Sequence, residues 1–207
     1  MKNLIIITVL LVIAIINSGC PKPCIEANYS FAATIQISPD DSIIHKGDTL
    51  WLNSLFPNRL NDISTGELID YSNATDIEST LSIAKLINGN IIPQGFVYNF
   101  NYVSEIGQIY NATDIPSPQT VQQLRFQQVG DNYQLKIGII VKDTGVFALG
   151  IGNGLSNSRN HSKRCEKASF QFTISGTSQH INYYQTWNPG FILTPDGIAK
   201  LYCFKVE

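Results

Sequence analysis

The chain is poor in the residues on which most catalysis and metal binding depend. It has three histidines, four cysteines and one methionine in 207 residues. His45, His161 and His180 stand far apart, and neither a Cys-x-x-Cys nor a His-x-x-x-His spacing occurs, so no metal site is expected. There is no Gly-x-Ser-x-Gly elbow, and no cofactor is called for. Charge is scarce too. Only 14% of residues are Asp, Glu, Lys or Arg, and the formal net charge is −2. A nucleic-acid partner is not expected, because it needs a basic face. One long apolar run exists, and it sits at the N-terminus.

That run carries the clearest signal. Lys2 supplies one positive charge, residues 4–16 are aliphatic except for Thr8, and Asn17-Ser18-Gly19-Cys20 follows. A charged start, a short apolar stretch and a small-residue step make a secretory signal. As a helix the stretch would reach about 20 Å, short of a hydrocarbon core of roughly 30 Å, so removal is expected rather than permanent spanning. Ile16-Asn17-Ser18-Gly19-Cys20 resembles the lipobox of bacterial lipoproteins, with Asn17 where that pattern has Leu, Val or Ile. The resemblance implies that Cys20 becomes the first mature residue and is acylated. Several chains on one residue hold a protein stably in a membrane, each buried methylene adding about 0.8 kcal/mol. The expected division is a signal at 1–19, a lipidated tether at 20–28 and one domain at 29–207.

Export would place the remaining cysteines in an oxidising compartment, where a disulfide persists. With Cys20 lipidated, Cys24, Cys165 and Cys203 remain. Cys165–Cys203 is the favoured pair, closing about forty residues for roughly 3–4 kcal/mol in the chain-entropy model. Cys24 is then free in the tether or paired elsewhere, since spacing does not fix connectivity.

Past the tether, period-2 alternation recurs, as half-buried strands require. Tyr29, Phe31, Ala33, Ile35 and Ile37 share one face. Tyr133, Leu135, Ile137 and Ile139 share another, after a Gly130-Asp131-Asn132 turn that pairs them with residues 122–129. Phe170, Phe172 and Ile174 repeat the pattern, as do Tyr202, Phe204 and Val206 at the C-terminus. The expected fold is all-β, an antiparallel sandwich. Asp143-Thr144-Gly145-Val146-Phe147 resembles the Asp-x-Gly-x-Tyr corner of immunoglobulin-like domains, with Phe147 for the tyrosine. One short helix is expected near the C-terminus, capped by Thr177 or Ser178 and running to Trp187 before Asn188-Pro189-Gly190. The pentapeptide at 73–77, Asn-Ala-Thr-Asp-Ile, recurs at 111–115 and reads as two similar turns.

Carboxylates are scattered. Asp40, Asp41, Asp62, Glu67, Asp70, Asp76 and Glu78 fall in loops or at strand ends, and nothing in their spacing pairs them as glycoside hydrolysis demands. No catalytic residue is assigned. The region from Asp62 to Glu78 matches no calcium-loop spacing. Aromatics are more suggestive. Phe96, Tyr98, Phe100 and Tyr102 would share one face of a single strand. Such a face is ordinarily core, and if exposed it is a candidate binding platform for a sugar or a protein. Trp51 and Trp187 read the same way.

The lipid signal, the β-rich body, the abundance of Ile and Asn and the ending Leu201-Tyr202-Cys203-Phe204-Lys205 together resemble Bacteroidota-type lipoproteins. That resemblance implies a lipid-anchored protein of the cell envelope, at the outer membrane. No acidic run follows Cys20, which favours the periplasmic face. Three classes remain: a non-catalytic module binding a protein or glycan, a glycan-acting hydrolase with paired carboxyls in a groove, and a structural part of a surface appendage with an open strand edge.

Overall fold

A computed structural model describes residues 25–87, 94–111, 121–161, 164–176 and 180–207. The signal, Cys20 and Cys24 lie outside the described residues. The strands are β1 (Ile25–Ser38), β2 (Ile43–Ile44), β3 (Thr49–Pro57), β4 (Arg59–Asn61), β5 (Leu68–Asp70), β6 (Glu78–Leu86), β7 (Gln94–Gly95) and β8 (Asn101–Ile106). They continue with β9 (Gln108–Asn111), β10 (Val121–Arg125), β11 (Gln127–Val129), β12 (Asn132–Ile140), β13 (Gly145–Ile151), β14 (Gly154–His161), β15 (Arg164–Ser175) and β16 (Leu201–Val206). Two short helices, α1 (Asn182–Trp187) and α2 (Pro195–Ala199), precede the last strand.

The alternation read in the sequence sets which way each strand faces. Phe31, Ile35, Leu135, Ile137, Phe170, Phe172 and Phe204 all point inward and are buried. Each such side chain contributes about 1.5–3 kcal/mol by leaving water. The result is an all-β sandwich with one main apolar core.

One half of the folded sheet runs β12–β3–β1–β15–β14, and the other runs β10–β6–β13–β16–β2. A single bridge, Leu155 to Glu78, joins β14 to β6. Most pairs are antiparallel, but the longest is parallel: β1 lies along β15 from Ile25↔Arg164 to Gln36↔Ser175. The β16–β2 pair is parallel as well. Hairpin turns dictate antiparallel neighbours, whereas strands this far apart in sequence carry no such constraint. Because β15 offers a partner that far, β1 begins at Ile25, inside the segment expected to be tether.

At the other edge the halves are linked by strands that change layer. β8 pairs with β12 and its continuation β9 pairs with β10. β10 pairs with β6 and its continuation β11 pairs with β12. The predicted hairpin at Gly130 is present, but only for residues 127–129.

α1 begins at Asn182 with Ile181 at its N-cap and no side-chain cap. Thr177 and Ser178, the expected caps, lie outside the described residues. α2 was not anticipated; Thr194 caps it, accepting the Gly197 N–H at 3.1 Å. α1 covers Cys203 on the outer face of β16, where Leu86, Ala148 and Trp187 complete a second small cluster. Phe147, in the tyrosine position of the corner motif, is core and packs on Phe100 and Phe204.

The expected Cys165–Cys203 bond is not formed. Cys203 is a free, fully buried thiol. Strands β14, β6 and β13 stand between β15 and β16 in the sheet. β15 and β16 belong to opposite halves of the folded sheet, facing layers lie about 10 Å apart, and Cys203 sits on the outer face of β16, whereas a disulfide requires Cα atoms within about 7 Å. Cys165 is disulfide-bonded, so its partner lies outside the described residues.

Candidate functional site

The layer-changing strands create the site. Between β8 and β9, Gly107 has φ +77°, and a Cβ there would meet the Arg125 carbonyl oxygen at 2.6 Å and Leu135 Cδ1 at 2.9 Å. Only glycine allows the strands to cross so closely. Between β10 and β11, Phe126 turns into the core and stacks on Phe172, with 4.8 Å between ring centroids. Drawing Phe126 inward turns its neighbours Arg125 and Gln127 outward, toward solvent.

The turn at 72–76 forms the facing wall. Asn73 takes a left-handed φ of +64°, a conformation Asn tolerates well. Buried groups hold this turn from beneath. The Tyr133 hydroxyl accepts the Ala74 N–H at 2.9 Å and donates to the Tyr71 carbonyl at 2.6 Å. The Tyr71 hydroxyl donates to Ser156 Oγ at 2.9 Å, and Ser156 donates to Asp76 Oδ1 at 2.7 Å. Gln128 ties the two walls together, its Oε1 accepting the Asn73 N–H at 2.6 Å and its Nε2 donating to the Gly130 carbonyl at 3.0 Å.

Between the walls runs an open groove of about 600 Å³, lined chiefly by Asn73, Thr75, Gln108, Arg125, Gln127 and Gln128. Its chemistry is that of carboxamides, each of which both donates and accepts hydrogen bonds. Arg125 brings a charge that is already matched. Its Nε donates to Glu78 Oε1 at 2.6 Å, and its Nη2 contacts both Glu78 and the Tyr110 hydroxyl, the latter at 3.0 Å. The Glu78 hydrogen bond raises the Arg125 pKa. Burial, then the bond to Glu78, pushes Tyr110 up to about 12, so it stays a neutral phenol.

The four aromatics do not share one strand, but Phe100 is buried and Phe96 and Tyr102 pack against the main core, as the ordinary reading of such a face expects. Residues 97–99 form a 3-10 turn, which breaks the alternation before β8 begins. Phe96 and Phe100 pack on Phe147, at 5.8 and 5.3 Å between centroids. Tyr102 donates to the Val97 carbonyl at 2.5 Å, and Tyr98 alone of the four is well exposed. Trp187 is buried, its indole N–H donating to the Ile87 carbonyl. Trp51 is half-buried on the outer face of β3, over Gly138 and beside Lys136.

The loop carboxylates serve the fold. Asp62 Oδ2 accepts from the Ser64 hydroxyl at 2.5 Å and from Thr65, while its Oδ1 accepts the Ser30 N–H at 2.7 Å. Asp70 accepts the Ser72 N–H at 3.0 Å. Of the histidines, His45 donates its backbone N–H to Asp48, and His180 packs edge-on against Tyr202 near Asp40. Among the described residues no three His, Cys, Asp or Glu side chains converge to hold a metal ion. The first copy of the repeated pentapeptide builds the groove wall, while the second lies outside the described residues after Asn111.

No protein-family model matches the chain, and no curated protein matches its sequence. Among solved structures, the human F-spondin reeler domain aligns with a TM-score of 0.32 at 8% identity, over 72% of this chain and 88% of that one. A cohesin module from a Clostridium perfringens family 33 glycoside hydrolase aligns with a TM-score of 0.26 at 9% identity, over 70% and 99%. A serine-rich repeat adhesion glycoprotein from Streptococcus agalactiae gives 0.23 at 10% identity, over 66% and 45%.

Proposed function

We propose that this chain is a lipid-anchored protein of the bacterial cell envelope, at the outer membrane. Its β-sandwich is a non-catalytic module that binds an uncharged polar ligand in the groove between the 72–76 turn and the crossing strands. The lipobox-like segment ending at Cys20 supports the anchor. The groove itself carries the binding reading: carboxamides of Gln108 and Gln127 stand at an opening of about 600 Å³, inside the usual range of roughly 300–1,000 Å³ for ligand sites.

The hydrolase reading requires two carboxyls aimed into such a groove. Among the described lining residues there is none, and Glu78 beside it is engaged by Arg125. The balance therefore favours binding over turnover.

The test has two arms. Full-length chain and Cys20→Ala are expressed in a Gram-negative host with an alkyne fatty acid. Label and outer-membrane fractionation are expected for the parent and lost in the variant. Detergent-solubilised protein is then assayed for retention on insoluble uncharged polysaccharides, with Gln108→Ala/Gln127→Ala as the control. Retention lost in the double variant supports the groove, and retention unchanged by it rejects the groove.

A further inference from the structure

The groove does not stop at Gln108 and Arg125. A second recess of about 340 Å³ adjoins it, lined by those same two residues together with Ser104, Ile109 and Tyr110. Register explains the continuity. Gln108 pairs with Arg125 and Tyr110 pairs with Gln123 across β9 and β10, so these four side chains share one face of the ribbon. Leu124, between them, points inward and is buried. The two recesses thus meet as lobes at a saddle formed by the residues they share, Gln108 and Arg125.

The saddle is polar but carries no free charge. The Arg125 guanidinium is held by Glu78 and by the Tyr110 hydroxyl, and it lies over the Tyr110 ring at 5.1 Å from its centroid. Gln123 Nε2 gives Glu78 a further hydrogen bond at 3.3 Å. The Arg125 charge is already matched by Glu78, so the saddle offers an anion no unpaired cation. A peptide adding as a strand needs an open backbone edge. β10 is paired on both sides, by β6 and by β9, and although among the described residues β9 keeps one edge without a strand, the two lobes are lined by side chains on the outward face of the ribbon rather than by that edge.

We infer that the ligand is a linear, uncharged oligosaccharide lying across the Gln108–Arg125 saddle, with sugar units in both lobes. This rests on the groove being the binding site. Hydroxyl-rich rings suit the mixed donors and acceptors of Gln108 and Gln127. Units in the smaller lobe lie beside Tyr110 and Ser104.

Calorimetry on the detergent-solubilised full chain tests this. The probes are cello-, malto-, xylo-, manno- and chito-oligosaccharides of one to six units, with oligogalacturonides as the charged comparison and unstructured decapeptides as the peptide comparison. For a series that binds, affinity is expected to rise at least tenfold from one unit to four and then level off. Tyr110→Ala, or Ser104→Trp, which fills the small lobe without removing a contact, should abolish that rise. Gln127→Ala should weaken every length alike. Affinity independent of length, unaltered by both small-lobe variants, would overturn the two-lobe inference and leave the groove reading intact. Tighter binding of oligogalacturonides or of peptides would overturn the neutral-glycan assignment. If no probe binds at all, the groove reading falls with it.

Discussion

Arg159 and Glu166 face one another across β14 and β15, with 2.6 Å between Nη1 and Oε2 and side chains only 2% and 4% exposed. The guanidinium also lies over the Tyr71 ring at 4.7 Å. A buried pair of this kind is costly to break on one side, because the surviving charge has no solvent to return to. Glu166→Gln is expected to destabilise the domain by about 3–5 kcal/mol in urea unfolding. Replacing both residues by Met or Leu should recover most of that loss. A single variant as stable as the parent would show that the pair carries no such burden.

Tyr133 links core and groove. Tyr133→Phe removes the partner of the Ala74 N–H and of the Tyr71 carbonyl, and buried backbone groups left without partners cost about 1–3 kcal/mol. A drop of that size is expected in chemical denaturation, together with weaker ligand retention, since the same hydroxyl seats the turn bearing Asn73. Unchanged retention by a folded Tyr133→Phe protein would mean that the turn is positioned by other contacts.

Asp62 predicts the acid side of stability. Its pKa is lowered from 3.8 to about 2, first by the Ser64 hydroxyl and then by the Ser30 N–H. A folded-state value below the unfolded one means that the contribution is complete above about pH 4 and fades as pH falls toward 2. Between those limits the urea midpoint of the parent should fall more steeply than that of Asp62→Asn, which has no charge to lose. Parallel curves would remove Asp62 from the acid response.

Cys203 makes a redox prediction. Burial pushes its thiol up to about 12, so native protein is expected to leave it unalkylated by iodoacetamide at pH 8. After unfolding without reductant, Cys203 should alkylate while Cys165 stays protected in its disulfide. Cys203 is excluded as the partner of Cys165. With Cys20 lipidated as proposed, Cys24 is the one cysteine left in the sequence to pair with it. Peptide mapping under non-reducing conditions identifies the partner; a linked Cys165–Cys203 peptide would contradict the fold described above.

Much of the architecture was legible because it is local. The alternation of Tyr133, Leu135, Ile137 and Ile139 encodes which face is buried, and so does that of Phe170 and Phe172. The Phe96 to Tyr102 pattern indicated burial for Phe96, Phe100 and Tyr102 but not the turn at Val97 that cuts the strand, which no propensity there announces. The parallel union of β1 with β15 left no local mark, since its partners meet only in the folded chain. The groove was hidden for the same reason. It depends on Gly107 and Phe126 sitting where two strands change layer, so its amides look in sequence like ordinary surface residues. One trace was visible: Asn73, first residue of the repeated pentapeptide, is a residue type suited to the positive φ on which the groove wall turns.

The central claim is that ligand enters the amide-lined groove. The most direct measurement is an NMR titration of the detergent-solubilised chain, with assigned side-chain NH2 resonances and neutral oligosaccharides released from bacterial envelopes. The account predicts that the amides of Gln108 and Gln127 shift with added glycan while those of Gln36 and Asn53, on the outer face beside Trp51, stay still. Shifts confined to Gln36, Asn53 and the Trp51 indole, with Gln108 and Gln127 silent, would contradict it.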